Sequence, residues 1–267
     1  MKIVCLIRPE PALIYFANQI NAKHQVAQVI LEKRTTLSKI KRHGIARSLA
    51  IGIKNLQGRK NIVSDYESYF EDKWCSLDSQ ISRLETEDIN SDMVLSRLKE
   101  IKPDLLLDHG TSIVENRILL CSKMAFNLHW GLSPYYRGTH CTEWALVNWD
   151  PYNIGVTIHK LTKAIDGGSV LVQKRAEIRA DDTAHSINMR LTQMGTDLMI
   201  KIIDKLEKGQ SIHFEEQDFS LGYLTSMRQW NHLLERQIRY IERNNLLGLM
   251  LQKPSRFKRL PIVEREL

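Results

Sequence analysis

No apolar run in this chain reaches the roughly 18 to 20 residues that a membrane-spanning helix needs. The opening stretch Met1–Arg8 is too short and too soon interrupted by charge to be a signal peptide, and it reads instead as a buried strand from residue 2. The expectation is a cytoplasmic protein. Cysteine is equally uninformative. The four residues Cys5, Cys75, Cys121 and Cys141 show no Cys-x-x-Cys spacing and no histidines at metal-ligand spacing, so neither a disulfide framework nor a zinc site is expected. The first strand runs into Ile7-Arg8-Pro9-Glu10-Pro11, with none of the glycines that would cradle a phosphate at a helix start. Internal repeats and low-complexity stretches are also missing.

What is present is the balance of an ordinary globular protein, with 267 residues, 43% of them hydrophobic and 26% charged. Such a length buries one good-sized core, or one core with a small appendage. The net charge is +7, which points to anionic partners. The excess is uneven: between Lys33 and Lys60 there are nine lysines or arginines and no carboxylate. Within that run Leu37, Ile40, Ile45, Leu49, Ile53 and Leu56 recur at helical spacing. A helix packed on the core is the plain reading of Leu37–Leu56. A nucleic-acid face or an interfacial membrane helix are the others.

Apolar runs and helical patterns alternate over the first two hundred residues, which predicts an α/β fold with an open, mostly parallel, Rossmann-like twisted sheet and helices on both faces. Strands are expected at Lys2–Leu6, Gln25–Leu31, Asp104–Leu107, Met124–His129, Gly155–Leu161 and Val170–Ile178. Helices are expected at Pro11–Asn21, Asn90–Ile101, Ile113–Leu120 and Thr142–Asn148. A long helix follows a cap at Asp181, Asp182 or Thr183, with the stripe Ile187, Leu191, Met194, Leu198, Ile202 and Leu206 and a stop at Gly209. The division is a catalytic domain over 1–209 and a small C-terminal extension over 210–267. In the extension, a strand is expected at Ser211–Phe214, a helix at Gln229–Asn244, and a basic tail from Pro254.

Chemistry concentrates in Asn127-Leu-His-Trp-Gly-Leu-Ser-Pro-Tyr-Tyr-Arg-Gly138. Asn127 and His129 are two apart on an apolar strand and share a face. A polar pair at the C-terminal end of a parallel strand stands where open α/β sheets bind ligands, although two satisfied structural residues would look the same. Further on, Gly155-Val-Thr157 opens a β-branched strand, and Asp166-Gly-Gly168 follows it. Alone, Asp166 is an ordinary turn residue.

Together these stretches resemble the catalytic core of the 10-formyltetrahydrofolate-dependent formyltransferases, most closely the sugar N-formyltransferases. The pattern Asn127-Leu-His129, Ser133-Pro134, Arg137-Gly138, Gly155-Val-Thr157 and Asp166-Gly-Gly168 appears in family order. The likeness covers roughly residues 95–209. It implies that an amine attacks a formyl carbon, that Asn127 donates a hydrogen bond to the developing oxyanion, that His129 moves the amine proton, and that Asp166 orients His129 or accepts the proton through water. It implies no metal and no covalent intermediate. The folate co-substrate would meet Leu107, His109, Gly110, Thr111 and Ile113 after one strand, and Leu161 and Ile165 before the acid. Asp108 reads as a loop residue. Trp130, Tyr135, Arg137 and Gly138 would face the acceptor. Trp130 is a departure, since many relatives carry a small residue or proline there.

Methionyl-tRNA formyltransferases carry a C-terminal β-barrel, whereas the 58 residues after Gly209 read as short and helical. Glycinamide ribonucleotide transformylases lack the basic run at 33–60. Elimination leaves a small acceptor, a nucleotide-linked amino sugar destined for surface polysaccharide, whose diphosphate would explain the basic excess. Nucleic acid is not the expected partner, and a homodimer is left open. The competing class is a non-catalytic nucleotide- or RNA-binding module on the same fold. Aromatics do not interleave with the basic run as base stacking would require.

Overall fold

The computed structural model describes residues 1–33, 69–70, 76–252, 259–265 and 267. The Leu37–Leu56 pattern, nearly all of the basic run, Cys75 and the start of the Pro254 tail lie outside the described residues. Seven strands make a mostly parallel sheet, and the chain divides into two compact units, Met1–Ala125 and Phe126–Leu267.

In the first unit β1 (Ile3–Ile7), β2 (Val26–Glu32), β3 (Arg83–Thr86) and β4 (Leu105–His109) run parallel in the order β3-β2-β1-β4. Every residue of β1 and β4 is buried, as continuous apolar strands of parallel sheets are. Helix α1 (Pro11–Lys23) opens on Pro11, which needs no partner for a missing N–H, and buries Leu13, Phe16, Ala17 and Ile20 along one stripe. Ser91 caps α2 (Asp92–Ile101). The left-handed Lys102 and Pro103 end it.

Two details differ from the expectations. Strand β3 has no apolar run to announce it, because at the sheet edge only Leu84 and Thr86 are covered while Arg83 and Glu85 are exposed. The helix expected over Ile113–Leu120 shrinks to α3 (Asn116–Leu119). The Asn90 side chain takes the Ile113 carbonyl (2.9 Å) and the Glu115 N–H (2.8 Å), holding that backbone out of the helix.

The second unit, which takes up β5 (Met124–His129) from Phe126 onward, holds it with β7 (Gly155–Lys160) and β8 (Val170–Arg175) as antiparallel neighbours. The loop joining β7 to β8 is too short for a helical crossover, so that pair must be antiparallel. Two strands that sequence patterning does not show, β6 (Tyr136–Gly138) and β9 (Tyr223–Thr225), pair in parallel. Helix α4 (Cys141–Val147) follows β6. Helix α5 (Ala184–Glu207) starts in a capping box between Thr183 and Ser186 and buries Ile187, Leu191, Leu198 and Ile202. Its Gly195 packs on Leu128, where an added Cβ would come within 2.6 Å of a Leu128 methyl.

Ser211–Phe214 forms no strand. The chain instead makes a single antiparallel bridge between Val170 and Glu215, with N–H···O distances of 2.7 and 2.8 Å. Asn231 caps α6 (His232–Arg243) through the Leu233 and Leu234 N–H groups, three residues later than the spacing indicates, and α7 (Leu246–Leu251) follows. The C-terminal segment returns to β8, where Gln173 and Val263 exchange hydrogen bonds of 2.7 and 3.0 Å. Among the described residues no helix is long and apolar enough to cross a membrane.

Candidate active site

The antiparallel register of β5 and β7 sets Asn127 opposite His159 and His129 opposite Thr157. Alternation along each strand then puts these four side chains on one face. The loop after β7 brings Asp166 to them. Asp166 adopts φ 46°, a left-handed conformation that an aspartate tolerates better than most residues.

The Asp166 carboxylate joins the set. Its Oδ1 accepts from Asn127 Nδ2 at 3.2 Å, and its Oδ2 accepts from the Gly138 N–H at 2.7 Å and lies 3.4 Å from His129 Nδ1. Burial alone would raise this carboxyl. The charge of His129, the hydrogen bond and charge of His159, and the Gly138 N–H outweigh burial and hold it down at about 2.

The hydrogen bonds also orient the rings and the amide. His159 Nδ1 donates to the Lys160 carbonyl at 2.7 Å, and its Nε2 lies 3.1 Å from Asn127 Nδ2 and 3.5 Å from Asp166 Oδ1. Asn127 Nδ2 donates to Asp166, and turning the amide over would set its oxygen against that carboxylate. His129 stands between two acceptors, the Tyr136 carbonyl at 3.0 Å from Nε2 and Asp166 at Nδ1. Only the imidazolium satisfies both. Burial works the other way and pushes His129 below its ordinary value, against the pull of the Asp166 charge and the Tyr136 carbonyl.

The surrounding backbone fits tightly around the ring. A Cβ on Gly131 would stand 2.4 Å from His129 Nε2 and 2.6 Å from the Tyr136 carbonyl, so only glycine leaves room for this contact. Thr157 ties the same turn, donating to the Gly131 carbonyl (2.6 Å) and accepting from the Ser133 N–H (3.0 Å) and Gln173 Nε2 (2.9 Å). Cys141 Sγ is 3.6 Å from His129, but burial pushes its thiol well up, so it stays protonated and is no nucleophile.

The other expected site residues are placed as follows. In the first unit Leu107 is wholly buried, paired with Cys5 in the sheet. His109 is buried edge-on to Phe16, and Gly110 has φ 80°. The Thr111 hydroxyl donates to Asp108, and Ile113 is 46% exposed. In the second unit Leu161 is half-buried and Ile165 exposed. Trp130 is half-buried beside the His129 turn. Tyr135 spends its hydroxyl on the Pro261 carbonyl at 2.7 Å. Arg137 lies over the Phe219 ring at 4.3 Å, its Nε buried without a hydrogen-bond partner. Gly138 (φ 97°) gives its N–H to Asp166 and leaves no space for a Cβ against the Thr225 carbonyl. Sequence reasoning passes over His159. Its signal is present, two residues after Thr157 on the same strand face, but it acquires meaning only through the antiparallel register.

The Asp166 carboxylate of the loop after β7 thus meets the His129 imidazole and the Asn127 amide of β5 in one cluster of hydrogen-bond donors and proton acceptors. The formyl transferase family profile matches residues 10–203, and the chain belongs to that family. A methionyl-tRNA formyltransferase from Thermotoga neapolitana is 29% identical over 164 residues, 61% of this chain and 50% of that protein. The chain thus spans about half the length of that relative. A 4-N formyltransferase from Francisella tularensis shares the fold with a TM-score of 0.56 and 17% identity, over 90% of this chain and 87% of the other. An N-formyltransferase from Helicobacter canadensis, solved with folinic acid and dTDP-3-aminofucose, gives 0.55 and 17% over 86% and 73%.

Proposed function

We propose that this chain transfers a formyl group from 10-formyltetrahydrofolate to the amino group of a nucleotide-linked amino sugar, in the cytoplasm. The observation that carries the reading is the Asp166 carboxylate, its side chain 10% exposed, in reach of both the Asn127 amide (3.2 Å) and the His129 ring (3.4 Å). The donor set fits an acyl transfer between two bound substrates: it holds N–H donors for a carbonyl oxygen, an acceptor for an amine proton, and no thiolate ready to attack. The folate supplies the activated formyl carbon.

The protein's own groups divide the remaining work. Asn127 redirects one N–H from Asp166 to the formyl oxygen as charge develops there. As the amine nitrogen bonds to the formyl carbon, His129 takes the proton that the amine loses, because the protonated ring satisfies both of its acceptors; as the bond between the formyl carbon and the folate nitrogen breaks, the ring, disfavoured as a cation by burial, returns that proton to the leaving nitrogen. Asp166 remains ionised throughout and keeps Nδ1 facing it. Gly131, Thr157 and Gln173 hold the turn against which the ring rests.

Arg137 is the group proposed to meet the acceptor's diphosphate. Its guanidinium is stacked, and one N–H has no partner, while charge-assisted bonds to phosphate are each worth about 1.5–3 kcal/mol. The dTDP-aminosugar named with the Helicobacter canadensis neighbour has this chemistry. The sequence match to a methionyl-tRNA formyltransferase favours a second acceptor, the aminoacyl ester of a charged tRNA.

The deciding experiment incubates the full chain with 10-formyltetrahydrofolate and a panel of nucleotide-linked amino sugars, free amino sugars and methionyl-tRNA, and reads products by mass spectrometry. A gain of one formyl group on a nucleotide-linked sugar, well ahead of its free form, is expected. Equal use of the free sugar, or a preference for methionyl-tRNA, overturns the acceptor. No formylated product at all, with folate shown to bind, overturns the reaction.

A further inference from the structure

We infer that Gln217, from the segment after α5, is a positioning residue for the reaction: its side-chain amide clamps the backbone of the Asp166 loop and so aims the carboxylate. The inference rests on the formyl-transfer reading, in which Asp166 is part of the site. Gln217 Nε2 donates to two carbonyls of that loop, Asp166 at 2.9 Å and Gly168 at 2.6 Å. Those two carbonyls bracket Gly167, and one amide nitrogen therefore fixes both sides of the turn that carries the acid.

The neighbours of Gln217 grip the same loop. Glu215 makes the two backbone hydrogen bonds to Val170, and Glu216 Oε1 accepts from the Ser169 hydroxyl at 2.7 Å. Phe219 stands next to Gly167, where an added Cβ would be 3.5 Å from the ring edge, and carries Arg137 on its face. Three consecutive residues, 215 to 217, thus each bond a residue between 166 and 170. Of the three, only Gln217 touches Asp166.

The clamp has something to oppose. Asp166 holds φ 46°, a left-handed conformation that is unfavourable for a non-glycine residue and is kept only by surrounding contacts. Gly168 cannot yield in place of Asp166, because a Cβ there would meet the Lys160 carbonyl at 1.9 Å and the two strands are already in contact. Freed of Gln217, the loop keeps its bonds at Gly167, Ser169 and Val170, but Asp166 itself is left with its carboxylate's bonds to Asn127 and Gly138, of which the Asn127 bond is the one redirected in the reaction. A loosened carboxylate would spend less time within reach of His129 Nδ1.

Gln217 Oε1 is buried and has no hydrogen-bond partner, so Gln217→Met removes the two N–H donors at nearly constant shape and breaks no third bond. Two readouts on the full chain test the inference. In steady-state kinetics, Gln217→Met is expected to lower kcat at least tenfold with the KM for each substrate within about twofold. In a carbon-13 histidine NMR titration, with the His129 signal assigned by its loss in His129→Gln, the variant is expected to titrate at lower pH than the parent, since the Asp166 charge pulls His129 upward.

An unchanged His129 titration together with an unchanged kcat overturns the clamp. A lowered kcat with an unchanged titration also overturns it, since a general packing defect would do the same. Where Gln217→Met does not fold, Gln217→Asn keeps the amide one carbon short of the two carbonyls and is read the same way. The titration needs no formyl donor, so a chain that transferred no formyl group would still decide whether Gln217 aims Asp166.

Discussion

At the scale of single residues, the site is a set of hydrogen bonds that share one carboxylate. Replacing Asn127 by alanine removes the side-chain amide that donates to this carboxylate, and turnover is expected to fall roughly 10²–10³-fold, as for loss of one oxyanion donor. His129→Ala and Asp166→Ala should each cost orders of magnitude in kcat. Because all three act on one transition state, the triple variant should lose far less than the product of the single losses. Steady-state kinetics on folded variants check this, and near-normal turnover in His129→Ala would remove the ring from the mechanism. The pH dependence follows from direction. His129 is held below 6.5 in the free protein, so the acid limb of kcat/KM should lie below that value, activity falling as the ring is protonated before the amine arrives. Asp166→Asn removes the charge that pulls the ring upward, and its residual activity should show the limb at still lower pH.

At the scale of elements, two close approaches govern where these side chains sit. Helix α5 meets β5 through Gly195 against Leu128, the residue between Asn127 and His129. Gly195→Ala must push either the helix or the Leu128 side chain, at a cost of about 1–3 kcal/mol for overpacking a closed core. The denaturant midpoint should drop with an unchanged slope. A variant as stable as the parent would mean that the helix yields freely. Gly131→Ala acts differently, since its Cβ meets the His129 ring and the Tyr136 carbonyl. It should lower kcat with a smaller loss of stability, because the turn lies at the strand end.

At the scale of the whole molecule, charge and acid stability are the measurable properties. Asp166 titrates at about 2 in the folded chain against 3.8 when free of its partners. Its contribution to stability is complete above 3.8 and is lost as pH falls through that value towards 2, because the unfolded chain binds the proton first. The Asp166→Asn protein should therefore show a shallower loss of stability over that window, read by thermal melts at a series of pH values. The net charge of +7 makes encounter with an anionic acceptor dependent on salt. With a nucleotide-linked sugar, Arg137→Ala should raise KM about tenfold and flatten its rise with ionic strength. No change in either would remove Arg137 from acceptor binding.

Much of this was legible in the residues. Period-two spacing puts Asn127 and His129 on one face of β5, apolar runs mark β1 and the start of β4, and the stripe and cap of α5 follow from side-chain chemistry within a few residues of each position. Local rules reach that far because they involve neighbours in sequence. His159 could not be read as a partner of Asn127, since that contact is a consequence of antiparallel pairing between residues 32 apart. Strands β3, β6 and β9 are short and mostly polar or half-exposed, and they exist because a neighbouring strand supplies hydrogen bonds, not because a pattern announces them. The sequence determined which side chains could do the chemistry. Only the tertiary structure decided that Asp166 reaches them in a left-handed turn bonded by residues some fifty positions away, because such a conformation is held by contacts that no local propensity encodes.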